Sequence, residues 1–161
     1  MTVNELNQKA KEKMKLLDDK KYFAHVRQYD EEIRDNEFPF DKQFYLRQQD
    51  KLNESYGEIL IAYSQLRAKL KTYRVVRKHE MRTINRKEFV DEKGKIPTND
   101  TLEDIANAEV SDLYNATLVL AGWVERGLNS LRTTRSHCYS ETKVERDKES
   151  DESKEKELRE D

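Results

Sequence analysis

Apolar residues recur along this chain in alternating steps of four and three. The clearest run is Tyr45, Gln49, Leu52, Tyr56, Ile59, Tyr63, Leu66, Leu70 and Tyr73. That spacing holds one side of a helix against a partner helix. It predicts a helix from about Lys42 to about Phe89, uninterrupted by proline and containing one glycine, Gly57. At 1.5 Å per residue such a helix spans roughly 70 Å. An element of that length must pair along its length or stand alone in water.

A second long helix is predicted from about Ser111 to Tyr139 or beyond. One seam on it runs Val110, Tyr114, Thr117, Ala121, Val124, Leu128, Leu131, Arg135 and Cys138. A parallel seam runs Leu113, Ala116, Leu120, Trp123, Gly127 and Ser130. One seam suffices to pair with the first long helix. Two seams require another neighbour, either the N-terminal helix or a second subunit. Leu113, Leu120, Trp123 and Gly127 are the expected oligomer interface, because an uncovered apolar strip is rarely tolerated on a monomer.

Residues 3–35 read as one charged helix with a weaker apolar face at Tyr22, Val26, Tyr29 and Ile33. NEFPF at 36–40 interrupts it, since Pro39 disfavours helical geometry at Phe38. Asp41 is the expected N-cap of the next helix. The turn between the long helices falls at 91–100, where Gly94 and Pro97 punctuate the sequence. A short helix from Leu102 to Ala108 is expected after it, with Thr98 to Thr101 offering caps. The expected organisation is therefore an N-terminal helix and connector at 1–40, a long helical hairpin at 41–140, and a charged, disordered tail at 141–161. The fold class is all-α: an elongated antiparallel helical hairpin with an additional N-terminal helix, oligomeric.

Composition supports long two-faced helices. Of 161 residues, 35% are hydrophobic and 40% charged, too few apolar side chains for an ordinary compact globule. The single cysteine, Cys138, excludes a disulfide framework within the chain and points to a reducing cytoplasm. No stretch approaches the roughly 20 apolar residues of a membrane span. Phosphate-binding loops, nucleophile elbows and metal-spaced Cys/His clusters are missing, so neither catalytic residues nor a cofactor or metal is expected.

Charge changes the picture more than composition does. The net charge of −2 conceals segregation. Between residues 67 and 87 there are nine basic side chains: Arg67, Lys69, Lys71, Arg74, Arg77, Lys78, Arg82, Arg86 and Lys87. Glu80 is the one acid among them. At about 100° per residue, Arg67, Lys71, Arg74, Lys78 and Arg82 share an arc of about 80° beside the seam. Like charges at spacings of three and four destabilise a helix unless an anion neutralises them. Nucleic acid is the commonest long anion in a cell, and Tyr73 lies within the cluster where a base can stack. Arg126, Arg132 and Arg135 of the second long helix would widen the patch. No sequence-reading module is visible, so binding is expected to be nonspecific and backbone-driven.

The stretch LRAKLKTYRVVRKHEMR, the start PTNDTLEDI and the run LAGWVERGLNSLRTTRS together resemble the UvsY-type recombination mediators of T-even-like bacteriophages, over about residues 40–140. The family's hydrophobic ending after an R-G-F-like turn is replaced here by R-G-L at Arg126–Leu128 and a charged tail. The resemblance implies a ring-forming binder of single-stranded DNA. Such a protein helps a recombinase displace a single-strand binding protein, and these two are its implied partners. The expected function is a non-enzymatic accessory protein of this kind, in host cytoplasm if phage-encoded. The alternative is a structural or adaptor coiled-coil protein whose basic stripe holds an acidic protein, and a third reading is an enzyme whose site forms only between subunits.

Overall fold

The computed structural model describes residues 1–35 and 42–157. Its elements are α1 (Val3–Asp19), α2 (Tyr22–Asp35), α3 (Lys42–Arg82), α4 (Arg86–Phe89), α5 (Asn99–Glu109) and α6 (Ser111–Glu157). Among the described residues every regular element is a helix. The expected break at 36–40, the Asp41 cap and the Tyr45 side chain lie outside the described residues.

The largest helix–helix contact is between α3 and α6. Tyr56 lies against Gly127, and Arg74 lies over the Tyr114 ring at 5.5 Å. Residue numbers rise along one helix as they fall along the other, so the two run in opposite directions. Leu52, Ile59, Leu66 and Leu70 of the α3 seam are buried, with Tyr56, Tyr63 and Tyr73 half-buried beside them. The tyrosine rings add apolar area at the edge of the core, and the Tyr73 hydroxyl reaches Glu109.

The N-terminal segment is two helices rather than one. Leu6, Ala10 and Leu17 are the buried residues of α1, and Phe23, Val26 and Tyr29 those of α2. Leu17 and Phe23 are six positions apart rather than seven, which breaks the three-four phase and requires the chain to reorient. Lys21 makes the turn with φ 58°, and its amide donates to the Asp18 carbonyl at 2.8 Å. This is the left-handed position after a helix that glycine more often fills. At the other end, Thr2 and Glu5 form a reciprocal capping box.

Both N-terminal helices lie along α6. Asn7 accepts from the Leu113 amide, Lys11 pairs with Asp112 at 3.0 Å, and Phe23 stacks on Trp123 with centroids 5.1 Å apart. Farther along, Tyr29 shares a 2.9 Å hydrogen bond with Thr134, and Arg126 reaches Asp30. The second seam of α6 is thus covered within the chain. Leu113 and Leu120 are fully buried, Trp123 packs against the core, and Gly127 faces Tyr56. Within the chain, α1, α2 and α3 supply the cover at these four residues that was expected from a second subunit.

The first long helix ends at Arg82, earlier than the expected Phe89. The chain then turns so that Phe89 packs back on a small cluster of Met81, Leu102 and Ala106. The loop that follows is pinned by Asp91, whose carboxylate accepts from the Lys93 and Lys95 amides, and by Gly94 at φ 71°. Thr98 caps α5 by accepting from the Thr101 amide. The tail expected to be disordered from Glu141 continues α6 to Glu157.

Candidate nucleic-acid interface

The basic stripe lies on α3 and α4, and the elements around it sort its nine cations into three groups. The first group meets α5. Arg74 donates to Asn107 at 2.7 Å and pairs with Glu103 at 2.9 Å, while Lys78 reaches the same carboxylate at 3.0 Å. Two cations on one carboxylate leave an excess positive charge. Glu103 is held below the ordinary carboxylate range by the hydrogen bond from Lys78, with Arg74 adding and burial opposing.

Arg77 is turned away from the stripe. Its guanidinium grips Glu109 through Nε and Nη2, at 2.8 and 2.7 Å, and reaches Glu80 at 3.2 Å. A fork of parallel N–H donors onto a carboxylate is among the stronger polar contacts available. Tyr73 donates its hydroxyl to the same Glu109 at 2.6 Å. The Arg77 bond holds Glu109 below its ordinary range, burial opposes, and the Tyr73 bond adds. Burial, with the bond to Glu109, pushes the Tyr73 hydroxyl up. Tyr73 and Arg77, both expected to bind nucleic acid, instead fix the junction of α5 and α6 to α3.

The second group has no carboxylate partner among the described residues. Arg67 and Lys71 are exposed on the arc, and Arg67 lies over its own helix's Tyr63 ring at 5.7 Å. Arg82 donates to the neutral side chain of Asn99. Arg86 and Lys87 are exposed on α4. Lys69 forms a third class of one. It lies on the opposite flank of α3, facing a groove beside α1.

The widening by helix α6 does not occur. Arg126 is held by Asp30 and by the Trp123 ring at 5.2 Å. Arg132 and Arg135 follow Gly127, which is level with Tyr56, so they lie toward the start of α3 and away from residues 67–82. His79 is exposed and Cys138 half-buried against the core. Among the described residues no cluster of three or more His, Cys, Asp or Glu is placed to hold a metal ion, and no helix is long and apolar enough to cross a membrane.

Sequence reasoning missed Glu103, Asn107 and Glu109. The signal was present: residues 99–109 carry four acids and no base, directly after the basic helix and one loop. No protein-family model, curated protein or solved structure matches this chain.

Proposed function

We propose that this chain is a non-enzymatic cytoplasmic accessory protein that binds single-stranded DNA along one flank of an elongated antiparallel helical hairpin, in the manner of a phage recombination mediator. One observation carries the reading. Arg67, Lys71, Arg82, Arg86 and Lys87 have no carboxylate partner among the described residues, and Arg74 with Lys78 adds the excess charge left by Glu103. Arg67, Lys71, Arg74, Lys78 and Arg82 follow one flank of α3, and Arg86 and Lys87 are exposed on α4 after it, an extended distribution that suits a flexible polyanion better than a compact ligand. A recombinase and a single-strand binding protein are the partners such a role implies. Assembly into a homo-oligomer belongs to the same reading, through surface other than the Leu113–Gly127 seam.

The test is fluorescence anisotropy with a labelled oligothymidylate at several salt concentrations. Affinity should fall with salt at a log–log slope of roughly −0.7 per phosphate contact. Arg67→Ala with Lys71→Ala should weaken binding to every sequence alike and make the slope shallower. Glu103→Gln should tighten it, because Arg74 and Lys78 are released. Binding that ignores salt, or a double variant that binds like wild type, would sink the proposal.

The adaptor reading is favoured by a different observation. The middle of the stripe already accepts a carboxylate-bearing helix, α5, through Glu103. An acidic helix from another protein would meet the same side chains.

A further inference from the structure

The flank of α3 opposite Arg67 and Lys71 carries a groove that the DNA reading does not use. Residues two apart on a helix lie roughly 200° apart, so Lys69 faces away from both. Three cavities of about 250, 400 and 530 Å³ line up along the boundary of α1 and α3. The first and second share Lys69, and the second and third share Met1, Tyr73 and Val76. On α3 the line runs from Gln65 to Glu80, which at 1.5 Å per residue is roughly 22 Å, or about four turns of a docked helix.

The floor is apolar. Leu6 and Leu66 lie at its base, Ala68 and Thr72 form the wall, and Val76 and Leu16 are 51% and 49% exposed along it. Its charges are uneven. At one end Lys9, Lys13 and Lys69 line the groove with no carboxylate partner among the described residues, and the Lys9 ammonium is directed along it to the sulfur of Met1, which lines the second and third cavities. Glu12, the acid at that end, accepts from Gln8 on its own helix. At the other end Arg77, Glu80 and Glu109 are satisfied by one another. The groove is therefore about four turns long, apolar on α3 between Leu66 and Val76, and carries more positive than negative charge at one end, three lysines against Glu12.

We infer that this α1–α3 groove docks an acidic amphipathic helix of a partner protein. Its apolar stripe lies on Ala68, Thr72 and Val76, and its carboxylates reach Lys9, Lys13 and Lys69. Helix-in-groove recognition uses this division between an apolar face and a charged rim. The inference stands apart from the DNA reading, because none of the groove's three lysines is on the Arg67–Lys71 flank.

The probe is a fluorescein-labelled synthetic helix of about sixteen residues, long enough for four turns, with leucines at three-four spacing and glutamates flanking them. A matched peptide with lysines in place of the glutamates is the control. The full-length protein should bind the acidic peptide and not the basic one. Lys13→Glu with Lys69→Glu should weaken it by about tenfold or more, through loss and reversal of charge at the rim. Val76→Asp should do the same by placing a charge on the floor. Arg67→Ala with Lys71→Ala should leave peptide affinity unchanged. Unaltered helicity by circular dichroism establishes that each variant is folded. Equal binding of both peptides, binding of neither, or indifference to the lysine pair would overturn the inference. So would oligothymidylate binding that the Lys13/Lys69 variant weakens while peptide affinity holds, which assigns the groove to nucleic acid.

Discussion

At the scale of single residues, the sequence identified the cations but not their partners. Nine basic side chains with one neighbouring acid looked like a face waiting for an anion, because only i,i+3 and i,i+4 neighbours can be judged from a helix alone. Glu109 is 32 residues from Arg77 and became its partner through the turn after α3. The consequence is measurable. Glu109 is held below its ordinary range chiefly by Arg77. A carboxylate lowered in the folded state contributes stability that is present above its unfolded pKa, about 4.3. That contribution is lost as pH falls through the folded value. Glu109→Gln should therefore cost about 1–2 kcal/mol at pH 7, as expected for a charge-assisted hydrogen bond. The difference from wild type should shrink as pH drops from about 5 toward 3. Urea denaturation at several pH values reads this directly. A gap that is as wide at pH 3 as at pH 7 would mean that the Arg77–Glu109 charge pair is not its source.

At the scale of elements, long-range periodicity was legible and local reorientation was not. The α3 seam from Leu52 to Tyr73 packs as its spacing requires, because a sustained repeat has one physical solution. The division of the N-terminal segment at Lys21 left only a phase slip between Leu17 and Phe23, with no glycine or proline to mark it. The end of α3 at Arg82 has a similar cause. Nothing in RTINRKEF forbids helix, and the chain turns there because Phe89 packs on Met81, Leu102 and Ala106. The extension of α6 past Glu141 reflects good helix formers, Glu, Lys and Arg, in a segment with little to pack against. Its described side chains are exposed or, at Thr142, half-buried. Truncation after Ser140 should therefore remove helical signal in proportion to the lost residues while changing stability by no more than ~0.5 kcal/mol, the range for surface changes. Circular dichroism before and during thermal melting separates the two quantities. A large loss of melting temperature would mean that the segment packs on the core.

At the scale of the molecule, the two seams of α6 decide how many partners the chain must find. One seam faces α3, and the other is covered by α1 and α2 and, at Gly127, by Tyr56 of α3. Covering the second seam from within the chain removes the physical reason for placing a second copy there. Deleting residues 1–35 should restore that reason. Leu113, Ala116, Leu120 and Trp123 would face water together with Leu52 and Ile59, a contiguous apolar strip that soluble monomers rarely expose. The shortened chain is expected to form larger assemblies than the full chain in light scattering and to melt at lower temperature with less cooperativity. Trp123 is the one tryptophan and stacks on Phe23, with the Arg27 guanidinium 5.6 Å from its ring. Its emission should shift to the red as that cover is lost, unless the strip is buried again by self-association. Dilution tests this alternative, because the red shift should then grow as assemblies dissociate. A shortened chain with the mass of one subunit, an unshifted emission and the full chain's melting temperature would show that α1 and α2 are ornaments on a self-sufficient hairpin.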